Sequence, residues 1–103
     1  MQRLVLTRHA RQRLQQRGSR EREVVIVLTY GDIEVPAKNG CRFLCLSRKE
    51  AALLLQQDIA SIREIDRARR LLVLKDSYDR VVTIIKCDPE RRAVDLKRAT
   101  GRR

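Results

Sequence analysis

The stretch Thr7-Arg8-His9-Ala10-Arg11-Gln12-Arg13-Leu14-Gln15-Gln16-Arg17-Gly18 carries the start and stop signals of one short helix. The hydroxyl of Thr7 can accept a hydrogen bond from a free backbone N–H of the first helical turn. Residues 8–17 contain no proline, glycine or β-branched residue, and Gly18 is of the type that commonly follows a helix end. The sequence therefore predicts a helix over 8–17, which holds the only histidine of the chain and four arginines.

The segment after Gly18 fits two descriptions. Its run Val24-Val25-Ile26-Val27-Leu28 is continuous and mostly β-branched, which favours a buried strand. A helix is favoured by Ser19 as N-cap, by acidic residues in the first turn and by a glycine at position 31. On these grounds we predict a second helix over 20–30.

The rest of the chain predicts strands with a helical segment between them. Residues 33–46 predict a hairpin that turns at Lys38-Asn39-Gly40, and residues 70–85 predict a second hairpin. Ser47 is expected to cap the segment 48–68, which is either one helix or two. This order predicts an α+β fold, with two N-terminal helices packed on a roughly four-stranded antiparallel sheet and a helical insertion between two hairpins.

The domain organisation follows from length and composition. A chain of 103 residues has room for one core, and we expect a single domain over 1–89. Residues 90–103 are polar and basic, and we expect a C-terminal tail. Val94 and Leu96 alternate with charged residues, which allows a short extra strand; we expect disorder beyond it.

The net charge of +11 comes entirely from the two ends of the chain. Residues 1–20 hold six arginines and no acid, residues 91–103 hold six basic groups and one acid, and residues 21–90 are balanced. Charge clustered in this way is typical of proteins that bind a polyanion, usually nucleic acid. The alternative is a solvated surface with an unstructured tail. The residues expected to contact nucleic acid are Arg8, Arg11, Arg98, Arg102 and Arg103.

The three cysteines, Cys41, Cys45 and Cys87, indicate a reducing cytosol, because their number is odd and no CxxC motif is present. We expect a cytoplasmic protein with no secretory signal and no membrane span. Neither a cofactor nor a metal is predicted, since no second cysteine pair or nearby histidine completes a ligand set. The cysteines are expected to be buried small hydrophobes.

The first helix also has the residue types of a metal-free RNA-cleaving site. His9, Arg13 and Arg17 recur every four residues, beside the apolar row that begins at Ala10 and Leu14. A histidine can transfer a proton, and arginines can bind phosphate and stabilise its charge. The second proton role would need Tyr78, Lys86 or an acid. The alternative is a structural histidine that bonds to backbone, beside solvated arginines.

Thr83 is a further candidate, and we expect it to share a strand face with Val81 and Ile85. The motif Thr7-x-His9-Ala10-x-x-Arg13-x-x-x-Arg17-Gly18, with Val82-Thr83 in the last strand, resembles a bacterial family of domains of unknown function. The resemblance covers roughly residues 4–87. That family is similar in fold to RelE-like toxins and to barnase- and colicin-type ribonucleases.

The resemblance implies that His9, Arg13, Arg17 and Thr83 form the site. The sequence departs from the family pattern at Ser19, at Lys86-Cys87 and in the inserted segment 48–68. We therefore expect a small basic protein that binds RNA, in preference to DNA, and the sequence leaves open whether it also cleaves RNA without metal. The alternatives are a non-catalytic nucleic-acid-binding module, or a toxin–antitoxin-type module with an acidic protein partner, an antitoxin or a second copy of itself.

Overall fold

The computed structural model describes residues 4–16 and 18–100. These residues form five α-helices, four β-strands and two 3-10 turns at 38–40 and 89–91. The elements are α1 (Arg8–Gln16), α2 (Glu21–Tyr30), β1 (Ile33–Pro36), β2 (Arg42–Cys45), α3 (Arg48–Gln56), α4 (Ile62–Arg69), β3 (Leu71–Lys75), β4 (Val81–Lys86) and α5 (Arg92–Thr100).

The predicted α+β fold is confirmed. The four strands form one sheet in the order β1-β2-β3-β4, and every neighbouring pair is antiparallel. The segment before α1 extends the sheet, because Leu6 forms a parallel bridge with Val81 at the start of β4. Both N-terminal helices precede the strands, and α3 and α4 form the insertion between the hairpins.

Both ends of α1 are closed by local hydrogen bonds. The Ala10 N–H donates to the Thr7 hydroxyl at 3.2 Å, which confirms Thr7 as the cap. Gly18 has φ +63, and its N–H donates to the Gln15 carbonyl at 3.2 Å. The Ser19 N–H donates to the Leu14 carbonyl at 3.1 Å, which completes a Schellman-type closure.

Residues 21–30 are helical, so the prediction of a helix over 20–30 is confirmed against the strand alternative. The expectation that Ser19 caps α2 is wrong. The cap position is Arg20, whose N–H donates to Glu23 Oε2 at 3.2 Å. Ser19 already belongs to the closure of α1, and its hydroxyl has no hydrogen-bond partner among the described residues.

The insertion consists of two helices, each with a serine cap. The Ser47 hydroxyl accepts from the Glu50 N–H at 3.1 Å, and the Ser61 hydroxyl accepts from the Glu64 N–H at 3.2 Å. Glu64 returns a bond through Oε1, which accepts from the Ser61 N–H at 3.0 Å. The second cap decides between the two alternatives for 48–68, because it starts a new helix after the break at 57–61.

The sheet has an apolar cluster on each face. The helical-face core includes Ala10 and Leu14 of α1, Val24 and Val27 of α2, Leu54 of α3, Ile65 of α4, and Val73 and Ile84 of the sheet. The opposite-face core is built on Phe43, Cys45, Leu72 and Cys87, with Leu96 of α5 packed against it.

The expectation of an extra strand or disorder over residues 92–100 is wrong, because these residues form α5. The carboxylate of Asp88 accepts from the Glu90 N–H at 3.0 Å, and Pro89 starts the turn that leads into the helix. Arg92 and Leu96, one helical turn apart, face the sheet: Arg92 is 8% exposed and Leu96 packs on the opposite-face core. The spacing that describes this segment is therefore the four-residue helical spacing of Arg92 and Leu96, and not the two-residue alternation of Val94 and Leu96.

Candidate nucleic-acid interface

Helix α1 buries one side and presents the other to solvent. Ala10 and Leu14 are buried in the helical-face core. His9 and Arg13 lie one turn apart on a flank of that buried side. Arg13 is half-buried at the border, as expected for the row, whereas His9 is exposed.

The imidazole of His9 makes no hydrogen bond or ion pair to any of the described residues. It therefore does not match the alternative of a structural histidine bonded to backbone. A general acid or base is normally oriented by a second group. His9 is exposed, so it can contact a ligand. No group among the described residues orients its imidazole.

The described arginines of α1 form no ion pair with any acid in the part of the chain that the structure describes. Six ion pairs join residues within the range 22–80, and none of them involves Arg8, Arg11 or Arg13. Helix α1 itself contains no acid, and Arg8 and Arg11 are both exposed. Gln12, Gln15 and Gln16, which follow along the helix, are also exposed. The outer side of α1 is therefore a cationic surface with amide donors and acceptors.

Thr83 lies on the other face of the sheet from the one on which α1 packs. Its register partner Leu74 packs against the opposite-face core, whereas Ala10 and Leu14 belong to the helical-face core. The sheet therefore separates the Thr83 side chain from the core contacts of α1.

The expectation that Thr83 shares a face with both Val81 and Ile85 is correct only for Ile85. The register between β3 and β4 shifts between Leu74 and Lys75, so that β4 contains one additional residue. Beyond the shift, Val81 joins the helical-face core, while Ile85 packs with the opposite-face core. A shift of one residue moves a side chain to the other face, because side chains alternate along a strand.

Three predicted residues, Arg17, Arg102 and Arg103, lie outside the described residues. Arg98 is exposed on α5. Helix α5 packs on the opposite-face core through Leu96, whereas α1 packs on the helical-face core. The two basic segments therefore lie on opposite faces of the sheet.

A cavity of about 560 Å³ lies between Gly18 and Ser19 after α1 and Asp95 of α5. Its other charged lining residues are Glu23, Arg67, Arg70, Lys86 and Asp88. The described lining residues include as many cations as acids. Two of these cations also form ion pairs. Arg67 lies 3.7 Å from Glu23, and Arg70 lies 3.5 Å from Asp66. The described lining residues therefore have no surplus of positive charge of the kind that a polyanion site needs, and His9, Arg13 and Thr83 are not among them.

The turn between β3 and β4 carries two residues that the interface prediction did not include. Tyr78 is 78% exposed, and the Arg80 guanidinium carbon lies 5.4 Å from its ring centroid. The scarcity of aromatics in the chain, together with the position of Tyr78 in a turn, was the available sequence signal.

The cysteines behave as apolar residues at two of their three positions. Cys45 and Cys87 are buried, whereas Cys41 is half-buried. Burial raises the pKa of both buried thiols and outweighs the opposing effect of the nearby Arg92, so they stay protonated at neutral pH. The described residues contain no group of three or more histidine, cysteine or acidic side chains placed to hold a metal ion.

Comparisons with protein-family models, with curated proteins and with solved structures find no match to this chain. The resemblance of the His9-Ala10 motif to a ribonuclease-like family therefore stays a prediction. None of the described helices is long and apolar enough to cross a membrane.

Proposed function

We propose that this protein binds RNA through the exposed side of α1, with Arg8 and Arg11 as phosphate contacts and Arg13 at the border. The observation that carries the proposal is the absence of any acidic partner for these arginines among the described residues, while six ion pairs neutralise cations within 22–80. Guanidinium groups left unpaired can each offer a fork of donors to a phosphate.

The preference for RNA rests on two supports. The motif around His9 and Arg13 resembles that of a ribonuclease-like family, and the exposed glutamines of α1 can bond to base edges or to the 2′-hydroxyl. The same cationic surface also fits the acidic protein partner, antitoxin or second copy named as alternatives. RNA is favoured over a second copy because two chains of net charge +11 repel each other.

The test compares the wild type with Arg8→Gln/Arg11→Gln on a labelled RNA of about ten nucleotides. Each phosphate contact contributes a slope of about −0.7 to the dependence of log K on log salt for a single strand. Loss of two contacts should therefore flatten the slope by about 1.4 and weaken binding about 25-fold at ~0.1 M salt. Fluorescence anisotropy over a salt series measures both quantities.

The matched control is Arg48→Gln/Lys49→Gln. Both residues are exposed in α3, neither takes part in an ion pair among the described residues, and the change in net charge is the same. If only overall charge matters, the two double variants will lose affinity equally, and the assignment to α1 fails. If the wild type binds RNA with a flat salt response, phosphate contacts are not the basis of binding and the proposal fails.

A further inference from the structure

The turn that joins β3 to β4 carries an exposed aromatic residue. The chain contains three aromatic residues, and two of them are used in packing: Phe43 is 3% exposed and Tyr30 packs against the helical-face core. Tyr78 is the third, and it is 78% exposed at the tip of the hairpin. Burial of the apolar face of an exposed aromatic ring by a ligand is favourable. The position of such a ring therefore indicates where a ligand can bind.

The turn around Tyr78 is held by one carboxylate. Asp76 Oδ1 accepts from the Tyr78 N–H at 2.9 Å and from the Arg80 N–H at 3.0 Å, and Asp76 Oδ2 accepts from Arg80 Nε at 2.8 Å. The bond from the Arg80 N–H is the main reason that the pKa of Asp76 lies below its usual value, so the carboxylate is charged at neutral pH. The ring therefore stands on a turn fixed before any ligand arrives.

Arg80 stacks on one side of this ring. Its guanidinium carbon lies 5.4 Å from the Tyr78 centroid, which is the spacing of a cation–π contact. With the residue 78% exposed, the remaining ring surface is open to solvent. Arg80 is itself paired with Asp76 through Nε, so its contribution here is to stack on the ring and not to act as a free cation.

The hairpin turn is tied to the start of α1. The Val81 N–H donates to the Val5 carbonyl at 2.8 Å, and the Thr7 N–H donates to the Val81 carbonyl at 3.0 Å. Arg80 directly precedes Val81, and Arg8 directly follows Thr7. Because the segment before α1 runs parallel to β4, the turn and α1 leave this bridge in opposite directions along the strand, and the turn lies beyond the N-terminal end of α1.

We propose that Tyr78, backed by Arg80, is a stacking platform for an unpaired base, so that the RNA bound along α1 is single-stranded. This inference rests on the proposed function. An aromatic ring beside a cationic track is how proteins bind single strands, since every base has a face that can stack. A duplex keeps its bases stacked inside and offers only its backbone and groove edges to such a ring.

The experiment measures Tyr78→Ala and Tyr78→Phe on a single-stranded RNA and on a duplex of the same sequence. Tyr78→Ala should weaken single-strand binding about tenfold. It should leave the duplex affinity and the salt slope unchanged, because no charge is removed. Tyr78→Phe keeps the ring and should bind as the wild type does. The stacking platform is overturned if Tyr78→Ala binds the single strand as tightly as the wild type does. It is also overturned if the variant loses as much affinity for the duplex as for the single strand.

A second readout reports contact with the ring directly. The chain contains no tryptophan, so Tyr78→Trp introduces a single probe whose fluorescence should be quenched by the single strand and not by the duplex. Ile62→Trp is the control, because Ile62 is 71% exposed on α4 and its indole should not respond. Equal quenching in both variants would overturn the platform.

The two proposals fail in different ways. Binding with the expected salt slope but without sensitivity to Tyr78→Ala removes the stacking platform alone. If the wild type binds neither the single strand nor the duplex, both the proposed RNA binding by α1 and the stacking platform are contradicted.

Discussion

The hydroxyl of Thr7 joins the start of α1 to the Val82 carbonyl in the last strand. It accepts from the Ala10 N–H at 3.2 Å and donates to the Val82 oxygen at 3.1 Å. Val82 lies where β4 shifts its register against β3. One side chain therefore caps the helix that carries the candidate interface and fixes that helix to the sheet.

Replacement of Thr7 by valine should lower the free energy of unfolding by about 2 kcal/mol. The helix cap accounts for about 1 kcal/mol and the bond to the Val82 carbonyl for a similar amount. Thr7→Ser keeps the hydroxyl and should cost less than ~0.5 kcal/mol. Urea unfolding monitored by circular dichroism measures both variants, and an equal loss in the two would show that the hydroxyl bonds do not matter.

Asp32 should contribute stability that depends on pH. Burial raises its pKa, but the Ser47 hydroxyl and N–H, which donate at 2.6 and 2.8 Å, outweigh this effect and hold the pKa below its usual 3.8. The unfolded chain therefore binds the proton first as the pH falls. The contribution is fully present above pH 3.8 and is lost as the pH falls through the lower folded-state pKa.

The comparison that isolates this effect is Asp32→Asn, unfolded in urea at about pH 5 and at about pH 2. The wild type should lose more free energy of unfolding between these conditions than the variant does. The acids Glu64 and Asp76, whose pKa values are also lowered, remain in both proteins and cancel in the difference. Identical losses in the two proteins would contradict the coupling of Asp32 to folding.

We expect the purified protein to leave RNA intact in chelator over roughly pH 5–8, the range in which a histidine titrates. His9 has no orienting partner among the described residues, and Thr83 lies on the other face of the sheet from the core contacts of α1. Gel analysis of RNA, with and without added ribosomes, measures this. Cleavage that disappears in His9→Ala would establish the metal-free ribonuclease alternative instead.

Much of the fold was predictable because its signals are local. The cap at Thr7, the stop at Gly18, the cap at Ser47 and the Asn39-Gly40 turn each depend on residues within about four positions of one another. The helix at the β-branched run of α2 was predicted correctly from its acidic first turn and from Gly31 at its end, although the run's own propensity favoured a strand and the expected cap at Ser19 was wrong.

The errors arose where one residue had two local uses. Ser19 has the chemistry of an N-cap, but its N–H closes α1, and the cap position falls on Arg20. Around Val94 and Leu96 the sequence fits both the two-residue alternation of a strand and the four-residue spacing of a helix, because the segment is too short to separate the two patterns. The contact of Arg92 with the Arg69 carbonyl at 2.8 Å, which no sequence window contains, favours the helix there.

The sequence by itself determined the location of α1, α2 and the four strands, the cationic character of the first helix and the absence of acids from it. Only the tertiary structure decided which groups share a surface. A single additional residue in β4 separates the faces of Val81 and Thr83, and a single bridge between Leu6 and Val81 joins the segment before α1 to the strand that follows the hairpin turn. The physical reason is that side-chain direction reverses with each residue of a strand, so face assignment depends on long-range register that local patterns do not encode.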